Sequence, residues 1–253
     1  MPKINELLAG ARVAVLSYQQ DVAILNRMNY APHPAFQNYS AYTPELQRLN
    51  EDFFGSGNAP EYVLWRFGTI DARFPTLDDG ASLLRILSDY SPVLQEQGYV
   101  LWKHSLSRSN NFSLGDCHEV AGSLNTWVSI PAEPTWLRVQ LDRTRWGTIQ
   151  DFLYRSAEAV IEIRLKDGET EIYRLPTGYA RAGFIINPVL RTDLDLLGSG
   201  PKQSITAVRV YSPNSWFFRR SVRFVKQTVQ GVAALKFESV QPEPELAAAR
   251  RTP

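Results

Sequence analysis

Two alternating runs of apolar and polar residues flank Lys166-Asp167-Gly168-Glu169, and this segment constrains the fold more than any other. An Asp-Gly pair tolerates the positive φ angles that a tight hairpin needs. The sequence therefore predicts a β-hairpin over residues 160–175. One face of this hairpin is expected to carry Ile161, Ile163 and Leu165, opposite Ile172 and its neighbours.

Further runs of strand length surround this hairpin. Residues 127–130, 136–141 and 205–211 are rich in apolar and β-branched side chains, and turn-forming residues separate them. Several short strands with turns between them are typical of two packed antiparallel sheets. The second half of the chain is therefore predicted to be an antiparallel β-sandwich, jelly-roll-like in its arrangement.

The first half alternates strand and helix patterns. Strands are predicted at 11–18, 62–67 and 98–103, and one helix at 44–54. For that helix Thr43 is the expected cap and Pro44 the first residue, with Leu46, Leu49, Phe53 and Phe54 on one face. A second helix should follow Asp78 or Asp79. This order predicts a small α/β layer with helices packed on a sheet.

The fold class expected is thus α/β plus all-β. The predicted organisation is a small α/β domain at 1–104, a linker at 105–116, a β-sandwich domain at 117–240 and a mobile tail at 241–253. The linker is polar and rich in Ser and Asn, and the tail is polar as well.

Composition excludes several classes of protein. Hydrophobic residues make up 44% and charged residues 21%, which is typical of folded globular chains. The net charge of +1 offers no overall field for nucleic acid, so no nucleic-acid partner is expected. The start of the chain lacks the apolar core of a secretory signal, and eighteen apolar residues never run together. We therefore expect a soluble chain without a transmembrane segment.

The residues that most often carry catalysis or metals are few. Histidine occurs at His33, His104 and His118, and the single cysteine, Cys117, excludes an internal disulfide. No spacing typical of zinc sites, serine hydrolases or phosphate-binding loops occurs. We expect no metal and no cofactor, and we interpret Cys117 as a buried thiol beside a loop histidine.

An acidic segment follows the predicted strand at 62–67. It contains Asp71, Arg73, Asp78 and Asp79, at the edge where α/β sheets usually bind ligands. Asp71 with Asp78 or Asp79 could serve as the carboxylate pair of a glycoside-active enzyme. Capping of the following helix by Asp78 or Asp79 is the favoured alternative, and it leaves Asp71 and Arg73 free for another role.

Tryptophans and arginines suggest both core and surface roles. Trp65, Trp102 and Trp136 lie within strand patterns and are expected in the core, whereas Trp146 and Trp216 adjoin turns or polar residues. Residues 196–237 contain no acid. A docking surface for a membrane or a partner is therefore one interpretation of this segment, and solvated strand faces are the favoured one. The docking residues would be Trp216, Arg219, Arg220 and Arg223.

Four segments carry a family resemblance: 29–46 (NYAPHPAFQNYSAYTPEL), 59–64 (APEYVL), 69–79 (TIDARFPTLDD) and 178–190 (GYARAGFIINPVL). Together they resemble the soluble C-terminal region of uncharacterised bacterial polytopic membrane proteins, whose membrane part is similar to lipid-linked-sugar glycosyltransferases. The resemblance spans roughly residues 12–210. It implies an extracytoplasmic accessory domain, periplasmic or extracellular, without the membrane-embedded activity of that group.

The leading hypothesis is a non-enzymatic binding or accessory domain for a cell-envelope glycan or a partner protein, including a membrane-protein partner. Its ligand crevice would be lined by Tyr39, Tyr42, Asp71 and Arg73. One alternative is a hydrolase or transferase that uses Asp71 with Asp78 or Asp79. Another is a structural domain that docks on a membrane surface or a partner.

Overall fold

The computed structural model describes residues 1–105, 112–153, 158–197 and 203–231. Its helices are α1 (Pro2–Leu8), α2 (Asp21–Leu25), α3 (Pro44–Gly55), α4 (Gly80–Asp89), α5 (Arg145–Leu153), α6 (Thr177–Ala182) and α7 (Asp193–Leu196). Its strands are β1 (Arg12–Leu16), β2 (Asn29–Tyr30), β3 (Tyr62–Trp65), β4 (Tyr90–Glu96), β5 (Tyr99–His104), β6 (Ser113–Leu114), β7 (His118–Ser123), β8 (Trp127–Ser129), β9 (Thr135–Arg143), β10 (Val160–Leu165), β11 (Thr170–Arg174), β12 (Phe184–Asn187), β13 (Ile205–Tyr211) and β14 (Phe218–Gln230).

The first half forms one mixed five-stranded sheet in the order β2-β1-β3-β5-β4. β1 pairs in parallel with β2 and β3, while β5 pairs antiparallel with β3 and β4. β4 was not predicted. It turns into β5 at Gln97 and Gly98, whose φ angles of 53° and 74° are those of a tight two-residue hairpin. The expected α/β layer is therefore present, with an added antiparallel edge.

Helix α3 begins as predicted, because Thr43 Oγ1 accepts a hydrogen bond from the Leu46 amide at 3.3 Å. The predicted buried face is wrong in part. Leu46 and Leu49 are exposed, and the buried residues are Gln47, Asn50 and Phe54. The helix buries polar side chains because they bond to neighbouring loops, as the site below shows.

The hairpin predicted around Asp167-Gly168 is confirmed. β10 and β11 pair antiparallel, and Gly168 has a φ of 94°. Ile161, Ile163 and Leu165 are buried, as expected. Ile172 is 58% exposed, because it pairs with Glu162 and therefore lies on the face of the hairpin opposite to these three residues.

The second half contains two antiparallel sheets. One has the order β11-β10-β13-β8; the other has the order β12-β9-β14-β6, with β7 also paired to β14. A cluster of buried side chains draws on both sheets, including Ile161 and Val208 from one and Val139 and Phe224 from the other. Strand β14 lies in the basic segment for which solvated strand faces were the favoured interpretation. Arg219, Arg220 and Arg223 are exposed, whereas Val222, Phe224 and Val229 are buried.

The two halves share buried side chains. One core cluster contains Leu16 and Trp102 from the first half, with Trp136 and Ile185 from the second. The predicted domain boundaries stay a prediction. Most of the proposed linker (106–111), the tail (241–253) and the preceding residues from 232 lie outside the described residues.

Tryptophan placement matches the expectation. Trp65, Trp102 and Trp136 are buried, whereas Trp146 and Trp216 are largely exposed. Within the described ranges, no helix combines the length and the apolar character needed to cross a bilayer.

Candidate functional site

The loop after β3 crosses from the first half to the second. Asp71 and Ala72 both adopt left-handed backbone conformations, with φ angles of 56° and 52°. Such angles are uncommon for residues other than glycine and often mark functional loops. The Ala72 carbonyl accepts a hydrogen bond from the Arg174 amide at 2.8 Å, which ties the loop to the end of β11.

Arg73 is the buried centre of this loop. Its Nη1 donates to Asp78 Oδ1 at 2.8 Å and to the Tyr39 carbonyl at 3.2 Å. Its guanidinium carbon lies 5.0 Å from the ring centroid of Tyr179. Burial raises the pKa of the Asp78 carboxyl above its usual value, and the attraction to Arg73 opposes that rise. Arg73 is thus held from both halves of the protein.

A buried polar network lies behind the loop. Asp79 occupies the N-cap position of α4, with a φ of 54°, but its side chain does not make the expected capping hydrogen bond to the helix backbone. Its carboxylate accepts hydrogen bonds from Asn50 Nδ2 at 2.7 Å and from Ser82 Oγ at 2.8 Å. Asn50 Oδ1 in turn accepts from the Ala35 amide at 2.8 Å. Full burial raises the pKa of Asp79 to about 7, with the two side-chain hydrogen bonds opposing the rise.

His33 lies near this network, with its ring centroid 5.7 Å from that of Phe54. It is buried, and neither of its nitrogens has a hydrogen-bond partner in the described part of the chain. Burial lowers the pKa of His33 to about 4, so the ring is neutral near pH 7. Its surroundings are those of a packed core histidine.

A cleft with a volume of about 630 Å³, called the main cleft below, lies at the junction of the two halves. Its charged lining residues are Asp71, Arg73, Arg143, Asp151, Glu158 and Arg174. Arg174 Nε lies 2.7 Å from Glu158, and its Nη1 lies 3.4 Å from Asp71. Arg143 pairs with Asp151. Three arginines and three carboxylates therefore line this cleft in equal number, and Arg73 is also paired with Asp78 behind it.

Tyr42 contributes an exposed ring to the main cleft, since it is 52% exposed. The ring packs edge-on against Tyr179 at a centroid distance of 5.5 Å. Directly below, the backbone of Gly178 approaches the Tyr42 carbonyl so closely that a Cβ at Gly178 would overlap it. This approach fixes the wall that carries Tyr42.

A second cleft, of about 620 Å³, adjoins the main cleft and shares Thr43, Arg143, Thr177 and Gly178 with it. It adds Arg181, paired with Asp142 at 2.8 Å, and Arg219. The two clefts therefore lie side by side along the junction and share part of their lining.

The sequence matches no known family model. No curated protein matches it significantly either. Among solved structures, the chain is similar to that of Pseudomonas aeruginosa AlgX, with 10% sequence identity and a TM-score of 0.31. The aligned part covers 87% of this chain and 50% of that one, so this chain spans half the length of AlgX. A likeness this weak carries no argument about fold or function.

Three of the four ligand-binding residues predicted from the sequence lie together. Tyr42, Asp71 and Arg73 line the main cleft. Tyr39 stands behind it, because its carbonyl accepts hydrogen bonds from Arg73 and from the Tyr179 hydroxyl. Their use in binding stays a prediction.

Sequence reasoning missed the part of the cleft that comes from the second half, namely Arg143, Asp151, Glu158 and Arg174. None of these residues lies in a recognisable motif, and they meet Asp71 only through the packing of the two halves. No local signal could have found them.

Of the three aspartates considered for catalysis, the structure leaves only Asp71 open to solvent. Asp78 is held by Arg73, and Asp79 is fully buried. A glycosidase would need two carboxyl groups roughly 5–10 Å apart across an open cleft. The catalytic hypothesis stays a prediction, and the positions of Asp78 and Asp79 favour structural roles for both.

The residues proposed for surface docking are all exposed. Trp216 lies in a 3₁₀ turn before β14, and Arg219, Arg220 and Arg223 follow it. Arg223 Nε lies 2.8 Å from Glu119 on the neighbouring strand β7. This ion pair supports the favoured interpretation for Arg223, a solvated strand face balanced by another segment.

The interpretation of Cys117 was wrong. Cys117 is exposed, and His118 is the exposed first residue of β7 and not a loop histidine. The cysteine precedes an edge strand, which leaves it on the surface. No group of three or more metal-ligating side chains exists among the residues described by the structure.

Proposed function

We propose that this chain is a non-enzymatic binding domain that holds a neutral oligosaccharide, such as a segment of a cell-envelope glycan, in the main cleft. The observation that carries the proposal is the balance of three arginines and three carboxylates around the exposed ring of Tyr42. The partner-protein alternative has no comparable observation in its favour.

Sugar hydroxyl groups both donate and accept hydrogen bonds. The carboxylates of Asp71 and Glu158 accept only, and the guanidinium of Arg174 donates only, so together they satisfy both functions of a hydroxyl. Bonds to charged groups are the stronger ones. Because the charges of the cleft cancel, the cleft has no general preference for a polyanion over a neutral ligand.

Tyr42 supplies the apolar contact that such a ligand needs. Its exposed ring offers a flat apolar face with a polar tip, which suits the less polar face of a pyranose. The cleft volume of about 630 Å³ falls within the range typical of small-ligand sites.

The fold is consistent with this role. We assign the two antiparallel sheets of the second half to a β-sandwich, jelly-roll-like in form, and the buried cluster that draws on both sheets supports that assignment. The resemblance to extracytoplasmic regions of membrane proteins supports a place in the cell envelope.

A glycan array followed by calorimetry tests the proposal. Tyr42→Ala should weaken binding of an array hit about tenfold, because it removes the stacking surface. Tyr18→Ala is the matched control, since Tyr18 is exposed but lines neither cleft. Raising NaCl from 0.05 to 0.5 M should change the affinity less than about twofold for a neutral ligand.

Three outcomes would contradict the proposal. The first is an array without a hit among neutral glycans. The second is an equal affinity of the Tyr42→Ala and Tyr18→Ala variants. The third is a steep loss of affinity with salt, which would indicate a polyanionic ligand.

A further inference from the structure

We propose that α5 and the adjacent Trp216 form a surface that attaches the protein to a lipid bilayer with anionic headgroups. This attachment is peripheral and independent of the proposed glycan cleft. The observation behind the proposal is that the apolar side chains of α5 point toward solvent.

The apolar face of α5 consists of Trp146, Ile149, Phe152 and Leu153. At 100° per residue these four side chains lie within an arc about 120° wide, which also contains Arg145. Trp146 is 69% exposed and Phe152 is 88% exposed; Ile149 and Leu153 are exposed as well. A helix of a globular protein normally turns such an arc toward the core. Here the arc points to solvent.

The packed side of α5 is the opposite one. Gly147 is buried against the Phe217 carbonyl so tightly that a Cβ there would overlap it. On another side, Thr148 and Asp151 face the two clefts. The packed Gly147 and the cleft-facing Thr148 and Asp151 therefore fix the orientation of the helix, and its apolar face points toward solvent.

Trp216 extends this face. Thr144, just before α5, donates from its hydroxyl to the Trp216 carbonyl at 3.1 Å, which holds the 3₁₀ turn beside the start of the helix. Trp216 is exposed like Trp146. Tryptophan side chains are enriched where a bilayer meets water.

The charges around this face are positive. Arg145, Arg219 and Arg220 are exposed, and none of them forms an ion pair within the described ranges. Two of the nearby acids are already paired, Asp151 with Arg143 and Asp142 with Arg181. Exposed Trp, Phe and Leu side chains beside unpaired arginines are the pattern of helices that lie in the interface of an anionic membrane.

A second copy of the chain is the less suitable occupant. A stable protein interface uses about 20–30 residues on each side. The surface described here consists of five apolar side chains on two and a half turns of helix and one short turn. A bilayer needs no complementary partner surface and accepts such a small patch.

Vesicle sedimentation with the full chain tests the inference. Binding to vesicles of phosphatidylcholine with 30% phosphatidylglycerol is expected to exceed binding to pure phosphatidylcholine at least tenfold. Phe152→Ser should reduce binding to the anionic vesicles about tenfold, because it removes the most exposed apolar side chain. Ile172→Ser, which changes an exposed apolar residue on a different surface, should leave binding unchanged.

The electrostatic part has its own variants. Arg145→Gln and Arg220→Gln should each weaken binding about fivefold, and Lys166→Gln in the exposed hairpin turn is the charge-matched control. Circular dichroism of each variant confirms that it is folded. Equal binding to both vesicle types, no binding to either, or no effect of Phe152→Ser overturns the inference. A dimer that forms without lipid and is abolished by Phe152→Ser would assign the surface to a second copy instead.

Discussion

Replacement of Asp79 by asparagine should stabilise the protein at pH 8 and leave its stability almost unchanged at pH 4. The Asp79 carboxyl is fully buried, and burial raises its pKa from 3.8 to about 7. The folded state therefore holds the proton more tightly than the unfolded chain does. The contribution of Asp79 to the free energy of unfolding is therefore greatest below pH 4. It falls as the pH rises toward 7, because the carboxyl loses its proton at a lower pH in the unfolded chain than in the folded protein.

The size of the effect follows from the two pKa values. A rise from 3.8 to about 7 corresponds to about 4 kcal/mol over the full titration, of which about 3 kcal/mol falls between pH 5 and pH 8. The introduced amide keeps the geometry, since its oxygen can accept from Asn50 and its NH₂ group can donate to Ser82 Oγ. Asparagine also tolerates the φ of 54° at this position.

Urea unfolding at pH 5, 6, 7 and 8 provides the measurement, with tryptophan fluorescence as the signal. Subtracting the Asp79→Asn curve of unfolding free energy against pH from the wild-type curve removes the contributions of groups common to both. One such group is Asp193, because burial raises its pKa to about 6. Asp52→Asn, an exposed change of the same chemistry, is the control. Curves for the wild type and Asp79→Asn that stay parallel within about 0.5 kcal/mol would refute the reasoning.

Two further predictions concern the buried framework of the cleft. Arg73→Met leaves Asp78 buried without its partner and should lower the free energy of unfolding by about 3 kcal/mol. The double variant Arg73→Met, Asp78→Asn should recover at least half of that loss. If the losses of the two single variants simply add in the double variant, the result argues against the pairing of Arg73 with Asp78. On α3, Phe54→Ala should lower the free energy of unfolding by about 3 kcal/mol and Leu49→Ala by about 0.5 kcal/mol, because Phe54 is buried and Leu49 is half exposed. Similar losses for the two variants would contradict the observed buried face of the helix.

The elements that the sequence predicts well are those with local signals. The Asp-Gly hairpin and the Thr43-Pro44 helix start depend on a few adjacent residues whose backbone preferences decide the outcome. The coarse fold class, mixed α/β with several antiparallel sheets, follows from such signals added along the chain. Of the candidate site, the same reasoning found the part carried by one loop, Asp71 and Arg73, and the ring of Tyr42.

The remaining features depend on packing between distant segments. The buried face of α3 includes Asn50 beside Phe54, because Asn50 bonds to the Ala35 amide and to Asp79, whereas periodicity alone favours an apolar face. Arg174 reaches Asp71 only because the two halves share a core. For β14 the sequence favoured solvated strand faces, but it did not give the bounds of the strand, because the exposed Arg219-Arg220-Ser221 run interrupts the alternation before Val222.

Gly178 and the Tyr42 carbonyl bring the backbones of the two halves into direct contact at the main cleft. Gly80 makes a similar approach to the Gly183 carbonyl on the far side of α6, so the halves touch backbone to backbone at two points. A Cβ at Gly178 or at Gly80 would overlap the opposing backbone, so this close packing of the two halves depends on glycine at both positions. We therefore expect the main cleft to be largely preformed, so that most of the conformational entropy lost on binding would be that of the ligand.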